Sequence, residues 1–416
     1  MLSAGSNGSD PKSGGTASVT RAGYRYLIIA LLMYLIVGVV NTWTNFATPI
    51  AQDLGWNTTV TATNYTIVSL CMGFGAMLGG HLAKRKPMRM VMLLAAVLYG
   101  AGYLGSSLTQ SNTPFVLYLC YGVCAAGGCG MTMNAMNNCV AQWFPNKVGT
   151  VSGIMMLGSG LSSLFLGTAT SYLVNGVGWR LAFRIAGVVS FCVLALCSFL
   201  MRLPREGEAP ARREQPGRQQ VGGSREYSPL QMLRRPSFYM FFVWTGLMFG
   251  VTVAQTGTAR QVADSIQTPT FLATLGIGFI MLFNGVGAII AGHIYDRLGR
   301  KIIMLGQNIG WLVGIFIAFL GVRTASPALL VGGWIVMGLT GGGVGATNAA
   351  FVAEFYGMKN FAMNLSIVNM RSLLSSLFST LSGALVTAYG TYIPVYYMMM
   401  LMAAGALVLG LCIRKP

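Results

Sequence analysis

GFGAMLGGHLAKRKPMR at residues 73–89 and GVGAIIAGHIYDRLGRK at residues 285–301 are one pattern written twice. An offset of 212 superposes Gly73, Gly75, Ala76, Gly80 and His81 on Gly285, Gly287, Ala288, Gly292 and His293, and Arg85 on Arg297. Continued without a gap, it takes Arg89 to Lys301, Met92 to Met304, Leu93 to Leu305, Ala141 to Ala353 and Lys147 to Lys359. One offset holding over roughly 75 residues marks a duplicated unit. Each copy runs from small apolar residues into a basic cluster, the profile of a helix leaving a bilayer on the side where Lys and Arg collect.

The composition agrees. Of 416 residues, 54% are hydrophobic, 9% are charged and 55 are Gly, whereas a soluble domain carries about 25% charged residues. Uncharged apolar runs near the ~20 residues that cross a bilayer occur twelve times, at 26–48, 60–82, 90–108, 114–141, 149–174, 181–201, 237–259, 271–294, 302–322, 328–353, 361–388 and 393–413. They are too long and unbroken for the alternating strands of a membrane barrel. The expected fold is an all-α membrane protein of twelve transmembrane helices in two pseudo-symmetric six-helix bundles, residues 23–201 and 236–416. Such a duplication places a substrate path between the halves, near the midplane. Residues 1–22, polar and Gly/Ser-rich, are expected to form a disordered cytoplasmic tail, and 202–235 a cytoplasmic linker.

With both termini cytoplasmic, 22 of the 27 Lys and Arg face the cytoplasm, Arg180, Arg184, Arg260 and Arg323 face outward, and Arg371 alone falls in the interior of a span. The bias makes the net charge of +18 an orientation signal for a multi-pass protein of the plasma (inner) membrane. It also removes the nucleic-acid partner that such a charge would otherwise suggest. The chain is expected to work as a monomer in the bilayer, without a metal or cofactor. Its eight cysteines lie in or beside apolar spans, and Cys120, Cys124 and Cys129 come with Gly127, Gly128 and Gly130 rather than with a His or carboxylate, which suits close helix contact and not metal ligation.

The second copy of the repeat reads Gly292-His-Ile-Tyr-Asp296-Arg297-Leu-Gly299-Arg300-Lys301. This resembles the loop signature of the major facilitator superfamily, G-x-x-x-D-R-x-G-R-K, and the 6+6 layout extends the resemblance over the whole chain. Within that superfamily, Gln142-Trp-Phe-Pro-Asn-Lys-Val-Gly149 followed by Ser152-Gly153 resembles the oxalate/formate antiporter family and its relatives, the monocarboxylate transporters. Asp53-Leu-Gly55-Trp56-Asn57 after the first span and Asn284-Gly285-Val-Gly287 in the eighth agree with it. The resemblance implies a transporter, not an enzyme. The residues concur, because the two histidines, His81 and His293, stand 212 positions apart and offer no nucleophile-base or metal constellation.

At the cytoplasmic end of the eighth span, Asp296, Arg297, Arg300 and Glu354 are expected to form ion pairs that hold that side closed and break on opening. Lys84 stands at the position of Asp296 and Gln142 at that of Glu354, so the first repeat lacks the acidic half of this latch.

Ionisable groups in hydrocarbon are costly and mark function. Arg371 lies ten residues into its span, about 15 Å along a helix and so at midplane depth. None of the nine Asp and Glu lies in the interior of a span, and the planar guanidinium fork suits a carboxylate that arrives from outside. Tyr34, Asn41, Asn134, Asn284, Trp334 and Asn369 are expected to join Arg371 along the substrate path, since buried amides need partners. The resemblance adds that the oxalate/formate family carries a Lys at the place of Arg371 and a second cation in the eighth span, where this chain has Ala288. One cation favours a monocarboxylate such as formate, lactate or pyruvate over oxalate. The expected function is secondary active transport of small organic anions by exchange, because an empty carrier would have to move an unpaired buried charge. Proton-coupled monocarboxylate symport is the alternative.

Overall fold

The computed structural model describes residues 12–56, 58–83, 85–205, 208 and 226–413. The tail up to residue 11, Lys84 and most of the linker lie outside the described residues. Every element among the described residues is helical. The first helix begins at Lys12, and its membrane-crossing stretch begins at Gly23.

Spans 2, 3, 6, 7, 8, 9 and 12 are single helices: Thr58–Leu82, Met88–Ser106, Trp179–Leu200, Pro236–Ser265, Thr270–Leu298, Arg300–Arg323 and Ile393–Cys412. The other five are interrupted. Span 1 passes from Lys12–Val37 through a 3-10 turn, Gly38–Thr42, into Thr44–Leu54. Span 4 joins Pro114–Leu117 to Ala126–Trp143 through a π turn, Tyr118–Ala125, and span 5 joins Val148–Leu161 to Gly167–Val177 through another, Ser162–Leu166. Span 10 breaks at Gly342, between Pro327–Gly341 and Gly343–Tyr356, and span 11 at Met370, between Phe361–Asn369 and Arg371–Tyr389.

Among the described residues, ten helical stretches are long and apolar enough to cross a membrane. The two expected spans outside this set, 149–174 and 361–388, are spans 5 and 11, which correspond under the repeat. Interruptions at corresponding positions of two halves are a pointer to a carrier's binding site. In a membrane each carbonyl freed by an interruption needs a partner. At the span 1 turn, Tyr121 Oη donates to Val40 O at 3.1 Å and Tyr99 Oη to Val37 O at 3.3 Å.

The duplication is structural as well as textual. A Cβ on Gly75 would overlap the Gly127 carbonyl of span 4, and one on its equivalent, Gly287, would overlap the Leu339 carbonyl of span 10. Spans 2 and 8 therefore lie against spans 4 and 10 at distances only glycine permits, the small-residue packing that replaces the hydrophobic effect inside a bilayer. One apolar core gathers residues between Tyr26 and Met201, and a second gathers residues between Tyr227 and Ile413, joined by Ala141 and Val148. The halves meet where span 5 crosses spans 8 and 10 and where span 11 crosses spans 2 and 4. Large side chains such as Phe115, Phe271, Leu401 and Leu411 remain exposed, which suits a surface facing lipid and not water.

Candidate functional site

Span 11 loses its helical path one residue before its buried arginine. Met370 closes the first segment and Arg371 opens the second, and across this break Arg371 Nη1 donates to Asn369 Oδ1. From span 10, Asn348 turns its oxygen to the guanidinium and accepts from Nη1 at 2.6 Å, while its nitrogen donates to Thr245 Oγ1 at 2.9 Å and Val344 O at 3.2 Å. That amide orientation is the one that satisfies both ends of the side chain. From span 7, the ring of Phe249 lies 4.7 Å from Arg371 Cζ, offering its π face to the cation.

Arg371 is 8% exposed, and its Nε is buried with no hydrogen-bond partner among the described residues. The described carboxylates are elsewhere. Asp53 binds Trp179 and Arg180, Asp264 binds Arg260, Asp296 and Glu354 sit at the end of the bundle that carries the loop signature, and Glu208 and Glu226 belong to the linker. The guanidinium is thus held by neutral groups and keeps a donor in reserve. A buried cation so arranged is stabilised by any anion that reaches it.

The other expected site residues are distributed unevenly. Asn369 touches Arg371. Asn284 has its backbone carbonyl against Gly342, at the break in span 10, and its half-buried side chain bonds to no described residue. Asn41 is exposed in the 3-10 turn of span 1. Tyr34 is engaged within the first half, donating to Met133 O at 3.2 Å and accepting from Asn137 Nδ2. Trp334 is buried in the second core with its ring against Gly276. Asn134 bridges the halves: its Nδ2 donates to Ala76 O at 2.8 Å on span 2 and, on span 11, to Ala362 O and Ser366 Oγ at 3.0 Å each.

Thr245 and Phe249 complete the Arg371 cluster and escaped the sequence reading. A signal for them exists in Gly246 and Gly250, a GxxxG pair on span 7. A Cβ on either would collide with Leu374 or Phe378 of span 11, so this face of span 7 is the one laid against the arginine's helix.

At the signature end, the bonds resolved for Asp296 run across the halves. Oδ1 accepts from Gly149 N at 3.1 Å, and Oδ2 from Thr150 N at 2.7 Å and Thr150 Oγ1 at 2.6 Å. These donors open the helix Val148–Leu161, where unpaired N–H groups and the helix dipole favour an anion. Beside them Gly149 and Gly292 touch backbone to backbone, since a Cβ on either would overlap the other's carbonyl. Glu354 accepts from Tyr295 Oη at 2.8 Å. Arg300 donates through Nη2 to Ile413 O at 2.7 Å and lies 5.0 Å over the Phe355 ring. Arg297, His81 and His293 are exposed.

Known proteins place this architecture. The sequence profile of the Major Facilitator Superfamily matches residues 27–278 and 256–416. Similar chains include the oxalate:formate antiporter of Oxalobacter formigenes, 29% identical over 300 residues that cover 70% of this chain and 68% of that one. Another is monocarboxylate transporter 13 of Rattus norvegicus, 23% identical over 77% of this chain and 72% of its own. Among solved structures, the fold matches FucP, a Major Facilitator Superfamily transporter in the outward conformation, with a TM-score of 0.71 at 12% identity over 95% of this chain and 100% of that one. The chain belongs to the Major Facilitator Superfamily and is a transporter, not an enzyme.

Proposed function

We propose that this major facilitator carries small organic anions, one carboxylate at a time, through a site centred on Arg371, and that it works by exchange. The observation that carries the reading is the buried guanidinium: two asparagines and a phenyl ring hold it, and Nε has no partner among the described residues. A carboxylate docked on the Nε–Nη2 edge gains two charge-assisted bonds in the fork geometry that arginine presents. The similarity to an oxalate:formate antiporter and a monocarboxylate transporter supports the substrate class. Ala288, buried and apolar in span 8, supports a single negative charge.

Exchange follows from the same charge. A loaded site is neutral, whereas an empty one would carry an unpaired cation through its reorientation, at a cost that favours return only with another anion. Asn284 and Asn41, whose side chains bond to no described residue, are the further polar groups assigned to the path. The signature end is cytoplasmic in this reading, with both termini on that side and a monomer in the inner membrane as the working unit. Asp296, Asn134 and the Gly149–Gly292 contact keep the cytoplasmic end shut, and Arg297, Arg300 and Glu354 border that gate.

Counterflow in proteoliposomes tests the proposal. Internal formate or lactate is expected to accelerate uptake of the labelled anion. Strong uptake into empty vesicles driven by a pH gradient alone would overturn exchange, and indifference to every C1–C4 carboxylate would overturn the substrate class.

A further inference from the structure

The linker re-enters the described structure at Glu226, and that residue is attached to span 11. Its Oε1 accepts from Met358 N at 3.3 Å and its Oε2 from Lys359 N at 2.8 Å, the backbone donors just ahead of Phe361. Gly357, at φ +82°, makes the turn that aims them, and a Cβ there would overlap Glu226 Oε2. Tyr227 continues the attachment. Its N donates to Tyr356 O at 3.0 Å, and its carbonyl accepts from Asn360 Nδ2 at 3.0 Å and Asn364 Nδ2 at 3.2 Å. The guanidinium of Arg235 lies 5.3 Å from the centre of the Tyr227 ring, and Ser228 opens the short helix Pro229–Leu233 with a reciprocal cap to Gln231.

The repeat shows how this attachment departs from the one in the first half. Asp296 caps residues 149 and 150 at the start of span 5. The offset of 212 carries those positions to 361 and 362 at the start of span 11, and carries Asp296 to position 84, which is Lys. A lysine ammonium has no acceptor to offer. The acid found at the entry of span 11 comes instead from the linker and binds three positions earlier, at the N–H groups of residues 358 and 359 in the turn ahead of the helix.

We infer that Glu226 is a positioning residue of the carrier. It fixes the entry of span 11, and through the segment Phe361–Asn369 it sets Asn369 and Arg371 against Asn348 and Phe249. The inference rests on the reading of Arg371 as the anion site. The two acidic caps then differ in kind. The cap made by Asp296 crosses between the halves and breaks whenever that end opens, while the cap made by Glu226 stays beside the second half and persists through the cycle.

The test uses the full-length carrier in proteoliposomes. Glu226→Ala is expected to speed amide hydrogen exchange over residues 358–366 by about tenfold and to raise the counterflow KM for lactate by about tenfold, with the maximal rate kept within about twofold. Glu226→Gln, which retains one acceptor oxygen, falls between Glu226→Ala and the parent in both measurements and covers the case in which Glu226→Ala fails to fold. Arg234→Ala, an exposed neighbour, moves neither. Unchanged amide exchange over 358–366 in the Glu226 variants would overturn the cap, and faster exchange with an unchanged KM would overturn the positioning role. A parent protein that moves no carboxylate would overturn the reading of Arg371 while the exchange measurement still judges the cap.

Discussion

Replacing Arg371 with lysine keeps the charge and removes the fork. In the parent, Nη1 is committed to Asn369 and Asn348, and Nε has no partner among the described residues, so in the proposed mode a carboxylate takes the Nε–Nη2 edge through two bonds. A lysine ammonium has no such edge and delivers one bond to the carboxylate, while Asn348 and Asn369 lose the donor they share. A hydrogen bond to a charged group contributes about 1.5–3 kcal/mol, and each 1.4 kcal/mol is about tenfold in affinity. Arg371→Lys should therefore weaken the anion by roughly 10- to 150-fold. Arg371→Gln removes the charge as well, and exchange should fall to background. Counterflow KM across formate, acetate, lactate and pyruvate gives the comparison, with hydrogen exchange reporting that the variants remain folded. A lysine variant whose KM stays within about threefold of the parent, where one lost charged bond costs at least about tenfold, would refute the bidentate geometry. A glutamine variant exchanging at the parent rate would refute the site.

Asp296→Asn keeps the shape of the gate and removes its charge. Losing about 1 kcal/mol of charge-assisted bonding at a helix N-terminus should shift the closed–open balance about fivefold toward opening at the signature end, read as faster thiol labelling of a cysteine introduced on that face in a background without native thiols. Asn134→Ala removes the three bonds made by Nδ2 to spans 2 and 11; it should raise the same labelling rate while leaving the anion KM unchanged, and a raised KM would return Asn134 to the substrate path. Bonds from Arg202 at 2.6 and 3.0 Å hold the Glu208 carboxyl down to about 2, below the value near 4.3 of a free glutamate. Its contribution to stability is therefore complete above about pH 5 and is lost as pH falls through about 4 toward 2, so the Tm difference between parent and Glu208→Gln should be constant at neutral pH and shrink on acidification.

The fold was legible because its largest signals are one-dimensional. Apolar runs, a single repeat offset and the placement of 27 cations need no knowledge of which helices touch. Arg371 stood out for the same reason, as the one charge deep in the interior of an apolar run. Its neighbours did not, because partnership across helices depends on rotation about each axis. Thr245 and Phe249 face the arginine only because Gly246 and Gly250 admit span 11. Asn134 read as a buried amide in search of a ligand, yet its hydrogens go to backbone and hydroxyl oxygens of two other spans. Asp296 read as one member of a charged loop, and the sequence could not show that the start of span 5 comes within reach of its carboxylate.

That last contact has a consequence for how such a chain can vary. Asp296 recognises the N–H groups of residues 149 and 150, which every amino acid except proline provides. The receiving half of this contact is therefore written in chain geometry at position 150, while position 149 has room for glycine only, since a Cβ there would overlap the Gly292 carbonyl. At position 150, most substitutions forfeit only the hydroxyl bond, whereas proline erases a backbone donor outright. A comparison of sequences that scores side chains alone would see the acid and the glycine at 149 and overlook the donor at 150.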